Sequence, residues 1–428
     1  MSQELNDTLG TLEVTWKLKD LYSGNNAPEL DKDIEQCGKE SIAIEKTYSA
    51  RVAELNDSEL LELTTRLEKL SSVLGRIGTY AFLNFTTDIK NQEAAAFLQK
   101  IKEIGSDINK HIVFFELELN TISPKKIKKL LKSDLLDHYR HYLESIRRYA
   151  DHQLSQTEET LLLEIAPVGR SSWTNLFDKV MGHMKFGETG RTEEEVLADL
   201  YHADREVRKQ AACDLTEGFK SQLHILTHIF NTLLADKMIS DRLRTYGSWV
   251  RSMNLYNELD DETVNVLTKT VISRYDIPQR YYEIKRGMLD LPELTDYDRY
   301  APLPDLPETT ISWDESKEMV LSSFAEFSPE LAEIAQLFYK NNWIHAPILE
   351  GKRGGAFAHP CIPEVHPYIM VNYTGNIRDV STVAHELGHG VHQYLAAEQG
   401  YFNSNTPLVL AETASVFAEL LLFTSQLE

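Results

Sequence analysis

The chain is poor in several things that whole classes of protein depend on. It has three cysteines in 428 residues, Cys37, Cys213 and Cys361, odd in number and far apart. That argues against a disulfide framework or a cysteine zinc site and fits free thiols in a reducing cytoplasm. Positive charge is also scarce. Forty-four Lys and Arg against 66 Asp and Glu leave a net charge of −22, which counts against nucleic acid and anionic membranes as partners and disfavours acidic peptides. There is no uninterrupted apolar run of 18 residues, and the polar start Met1-Ser2-Gln3-Glu4-Leu5-Asn6-Asp7 has no signal-peptide character, so a cytoplasmic protein without a membrane span is expected. No repeat period is present.

Strand-like runs are few, so the fold class expected is predominantly α. Ser58–Leu74, Gln92–Asn109, Glu158–Ile165, Thr192–Met238, Asp260–Met288 and Trp313–Tyr339 carry apolar residues at spacings of three and four amid charges, the mark of amphipathic helices. Ser123-Pro124 supplies a cap and a first-position proline, and the lysines after it, Lys125 to Lys132, read as a solvated face. Residues 296–307, within a proline-rich stretch from Leu291, form the clearest irregular connection. The length suits two or three domains, divided here into an N-terminal helical region, 1–190, and a catalytic region, 191–428.

The strongest local signal is His385-Glu386-Leu387-Gly388-His389. Residues four apart share a helix face, so both imidazoles can meet one tetrahedral metal while Glu386 reaches a water rather than the ion. A match of this kind anywhere in a random chain of this composition has a probability of roughly 0.07 at most. Glu386 is also the only formal charge from Val380 to Ala397, and the apolar residues around it suggest a largely buried helix. Core histidines satisfied by hydrogen bonds are the competing reading, but they would need partners for three buried polar groups where one divalent ion serves all. Asn376 with Asp379 suits a capping box at the start of this helix, and Gly400 suits its end.

A catalytic zinc site takes three protein ligands and keeps one position open. The residue six positions after His389, where some related motifs place another histidine, is Leu395. A second helix is signalled after Pro407, and in it Glu412 is the only charge between Gln399 and Ala418. That apolar setting favours Glu412 as third ligand over Glu398 or Glu419 and suggests a buried anion with a cationic partner. Glu419, seven residues on and so on the same face, is either an acceptor for a ligand imidazole or an ordinary solvated glutamate. The ion expected is one Zn2+ per chain, although cobalt or manganese suits the same N,N,O set.

The segments Tyr373-Thr374-Gly375, His385 to Gln393 and Glu412-Thr413-Ala414-Ser415, together with Arg353-Gly354-Gly355-Ala356-Phe357 and His366 to Asn372, resemble the zinc oligopeptidases of the thimet oligopeptidase and oligoendopeptidase F family, the latter more nearly. Trp16 to Tyr22 is a fainter match. The resemblance implies a multi-helical zincin-type metallopeptidase with a small β-sheet before the active-site helix. It implies zinc on His385, His389 and Glu412, Glu386 as general base, and short peptides as substrates.

Tyr368-Ile369-Met370-Val371-Asn372-Tyr373 has strand character, and Gly355 with Ala356 would offer an accessible backbone to an extended peptide. His392, close to the ligand face, is a further candidate for substrate contact. In the resembled family a tyrosine-rich segment C-terminal to the third ligand supplies oxyanion donors, and this chain stops at Glu428 without one. A truncated chain is therefore expected, which leaves a catalytically weak or inactive metal- and peptide-binding fragment as the alternative to a working peptidase. An all-helical scaffold with a coincidental motif is a further rival.

Overall fold

Local capping chemistry sets most of the helix starts. In the computed structural model, which describes residues 2–304 and 310–427, Asn56 and Glu59 form a reciprocal capping box ahead of the long helix Asp57–Thr87. Ser155 with Glu158, Thr192 with Glu195 and Ser312 with Glu315 do the same elsewhere, so backbone donors that would be orphaned at these termini are satisfied. Pro28, Pro124 and Pro329 occupy first turns, where the missing N–H costs nothing. The molecule is predominantly helical, as the periodicity implied.

Three of the long periodic stretches are broken. Trp313–Tyr339 divides at Ser328 into Trp313–Phe327 and Pro329–Lys340. Thr192–Met238 divides into Glu193–Asp199, Arg205–Ser221 and the start of Leu223–Leu243, with Asp204 capping the second. Asp260–Met288 divides into Asp261–Ser273 and Asp276–Met288. Of the irregular connection at 296–307, residues 305–307 lie outside the described residues.

The sheet is small. Three strands, β1 (Ile344–His345), β2 (Phe357–His359) and β3 (Tyr368–Met370), lie in the order β1-β3-β2. β1 runs parallel to β3, and β2 runs antiparallel to it with Ala358 opposite Ile369. The start of the chain closes over this sheet. Asn6 exchanges two hydrogen bonds with the backbone of Ile348, at 2.7 and 3.0 Å, and Trp16 packs against His345, Phe357 and Tyr368.

The helix carrying the histidine motif, Ile377–Ala396, lies on a core of Val320, Phe324, Phe338, Ile344, Ile369 and Tyr373. Its inward residues Val383, Ala384, Leu387 and Val391 are buried, but Tyr394 and Leu395 are exposed. The helix is thus one-sided rather than enclosed all round, because solvent reaches its far face. The next helix, Leu408–Leu427, packs on it through Ser415, Ala418 and Leu422 and leaves Leu410, Val416, Leu420 and Phe423 exposed. By length and composition alone this terminal helix is apolar enough to cross a membrane, although two carboxylates interrupt its apolar run. It carries Glu412 and Glu419, and both carboxylates face the histidine pair.

Candidate metal centre

The motif helix starts as its sequence suggests. The Asn376 side chain accepts from the Asp379 N–H at 3.0 Å, and Asp379 accepts in return from the N–H and hydroxyl of Thr374 and the N–H of Asn376. After a short 3-10 turn the chain leaves through Gly400 at φ 78°, where a Cβ would lie 2.9 Å from Glu68 Oε1. The five motif residues therefore sit in mid-helix, on rigid backbone.

His385 and His389 face one way, with ring centres 4.8 Å apart and planes at 86°. Glu412 meets them from the terminal helix. Its Oε2 lies 3.5 Å from His385 Nε2 and its Oε1 3.8 Å from His389 Nε2. Donors about 2.0–2.2 Å from a tetrahedral ion stand roughly 3.4 Å apart, so this triangle is close to the size a divalent metal requires. Among the described residues it is the group of His, Cys, Asp and Glu side chains that converges in this way, with all three donor atoms within 4.8 Å of one another.

The close approach of the two helices depends on Gly388. A Cβ there would stand 2.7 Å from the Ala414 carbonyl oxygen and 2.7 Å from Ala418 Cβ, so any larger residue pushes the terminal helix, and Glu412 with it, away from the imidazoles. Two further contacts orient the donors. His385 Nδ1–H donates to Glu419 Oε1 at 2.5 Å, leaving Nε2 free to face Glu412. The Ser415 hydroxyl donates to Glu412 Oε2 at 3.1 Å. The positions of Gly388 and Ser415 were visible in the sequence, but their roles depend on a crossing between two helices that periodicity does not report.

Glu412 differs from the sequence reading. Its side chain is 52% exposed, not a buried anion, because the helix that carries it is itself largely exposed and a charge-free sequence does not imply enclosure. Glu386 is the enclosed carboxylate. It is 6% exposed, and its Oε2 has no hydrogen-bond partner. Burial first, and then the charges of Glu412 and Glu419, push its carboxyl up to about 8. An orphaned, buried oxygen beside three converging donors fits a site built around a cation and its water. Burial, and then the neighbouring His385, lower His389, favouring the neutral imidazole that a metal needs.

His385, Glu386 and Glu419 reach the wall of a cleft of about 1030 Å3, as do Gly355 and Ala356. Gly355 lies just before the edge strand β2, but its N–H already donates to Glu194 Oε1 at 2.7 Å, and its carbonyl accepts from Asn372 at 2.8 Å. Burial raises Glu194, and it lifts Glu193 to about 7 with help from the Glu194 charge. Nothing in the sequence linked these glutamates to Gly355, 161 residues away. His392 is half-buried on the motif helix and lies outside the residues that form the cleft wall.

Comparison with known proteins adds a family. The model described as Oligopeptidase F matches residues 118–186, and that described as Peptidase family M3 matches residues 198–428. Oligopeptidase PepF of Bacillus subtilis (strain 168) is 28% identical over 422 residues, which cover 96% of this chain and 62% of that protein. An oligoendopeptidase F homolog of Borreliella burgdorferi is 26% identical, covering 86% and 63%. The chain spans less than two thirds of the length of these curated relatives. The crystal structure of oligoendopeptidase-F from Enterococcus faecium shares the fold, with a TM-score of 0.62 at 20% identity over 93% of this chain and 66% of that one.

Proposed function

Because the chain belongs to peptidase family M3, we propose that it is a zinc-dependent endopeptidase of short peptides, with His385, His389 and Glu412 as the metal ligands. The observation that carries this reading is the convergence of those three donors beside the orphaned carboxylate of Glu386. The division into a helical region to about residue 190 and a metal-binding region after it belongs to the same reading, as does a cytoplasmic location.

When bound, zinc supplies a Lewis acid that polarises the scissile carbonyl and brings water near neutral acidity. The chain's own groups do the rest. Glu386 Oε2, buried and without a partner, takes a proton from the attacking water and returns it to the departing peptide nitrogen. Glu419 holds the His385 ring in the tautomer that leaves Nε2 bare. Gly355 and Ala356 offer an extended peptide the backbone beside the edge strand, once the Glu194 carboxylate yields the Gly355 N–H.

One observation favours the alternative of metal and peptide binding with little turnover. The half-exposed Glu412 leaves the centre open to water on one side, and water weakens electrostatic stabilisation of a developing oxyanion. Hydrolysis of a quenched fluorescent peptide by the zinc-loaded chain separates the two. A peptidase shows turnover that Glu386→Gln reduces by roughly a hundredfold or more while zinc stays bound; equal rates in parent and variant would remove Glu386 from the chemistry.

A further inference from the structure

The cleft beside the histidine pair has a second wall of different chemistry. Tyr201, Arg299, Tyr300 and Arg378 line the same cavity as His385 and Glu386, yet they come from three separate parts of the chain. The Tyr201 and Tyr300 rings stack with centres 4.7 Å apart and planes 22° from parallel. The Arg378 guanidinium lies 5.3 and 5.5 Å from the two ring centres. That of Arg299 lies 4.4 Å from the Tyr300 ring and donates to its hydroxyl at 2.7 Å.

These two cations are unneutralised among the described residues, in a chain with 22 more acidic than basic groups. Their adjacent carboxylates are committed elsewhere. Asp298 is held by Arg205 and Arg208, and Asp379 caps the motif helix and binds Thr374. Stacking on tyrosine fixes the plane of a guanidinium without cancelling its charge. A planar anion is the ligand that guanidinium groups complement, and on a peptide that anion is a carboxylate.

The spacing gives the position. Arg378 precedes His385 by seven residues, about two turns, so the two share a helix face roughly 10 Å apart. Ser381 and Thr382 also line the cleft between them. An extended peptide covers that distance in about three residues.

We propose that Arg378 and Arg299, held on the Tyr201–Tyr300 stack, form a subsite for a peptide carboxylate about three residues from the bond placed at His385 and Glu386. The proposal rests on the peptidase reading for the bond that is cut, but the binding it describes does not require turnover. The carboxylate is either the peptide's C-terminus or an Asp or Glu side chain.

The test measures fluorescence anisotropy of N-terminally labelled hexapeptides on the zinc-loaded chain, each made as free acid and as C-terminal amide, with a second amidated pair carrying Asp or Asn at the fourth residue. The acid is expected to bind roughly tenfold tighter than the amide, or the Asp peptide tighter than its Asn partner, and whichever pair discriminates identifies the source. Arg378→Gln is expected to abolish that discrimination while the affinity for the uncharged peptide stays unchanged, with Arg299→Gln giving a partial loss. A merely structural role for these arginines would weaken all four peptides alike. Equal binding of all four by the parent, or discrimination that survives both substitutions, overturns the subsite. Peptides cut without discrimination sink the subsite and leave the peptidase reading standing; discrimination by a chain that cuts nothing sustains the subsite and sinks the peptidase reading.

Discussion

At the level of single side chains, Glu386 is the costly group. An enclosed carboxylate without a partner is destabilising by several kcal/mol unless a cation or water meets it, and Glu386 is held in that state by a helix that offers it nothing else. Its neighbour Glu419 acts at one remove, through a single 2.5 Å bond to His385. Glu419→Gln keeps the shape but weakens the acceptor, so zinc affinity is expected to fall roughly ten- to a hundredfold. Competition with a chromophoric chelator measures it. An unchanged affinity would return Glu419 to the status of a solvated glutamate, an alternative its sequence had left open.

At the level of elements, the decisive contact is the crossing of the motif and terminal helices at Gly388. Adding one methyl there requires the backbone at Ala414 to move, so Gly388→Ala is expected to destabilise the chain by about 1–3 kcal/mol. The same change withdraws Glu412 and weakens metal binding. Urea unfolding read alongside metal titration checks both effects, and a variant as stable and as tight in binding as the parent would contradict the close approach.

The elements were also where the sequence was most legible. Capping pairs such as Asn376 with Asp379, and periodic apolar faces, mark helices from within their own residues. The breaks near Asp204 and Gln222 were hidden because the apolar spacing runs on across them. Partners distant in the chain were hidden for another reason. Glu194 at Gly355, and Arg378 beside Tyr201 and Tyr300, come together only through tertiary packing, and no local pattern records it.

At the scale of the whole molecule, apolar surface is the conspicuous feature. Phe230, Met238 and Leu267, on the helices Leu223–Leu243 and Asp261–Ser273, Trp249 between those helices, and Leu420 and Phe423 on the terminal helix are all more than half exposed. Large apolar patches on a monomeric protein usually mark surface that something else covers. The 428-residue chain is therefore expected to bind an apolar dye strongly and to associate as its concentration rises, as light scattering after size exclusion will show. A monodisperse monomer at high concentration with no dye binding would mean that these side chains shelter one another in solution.

The centre itself is what the functional account stands on, and the most direct measurement is metal content. After exhaustive dialysis and reloading, elemental analysis should find one zinc per chain in the parent and a stoichiometric loss in His385→Ala and in Glu412→Ala, since each removes one of the three converging donors. Stoichiometric zinc that survives both substitutions, or none in the parent, would contradict it.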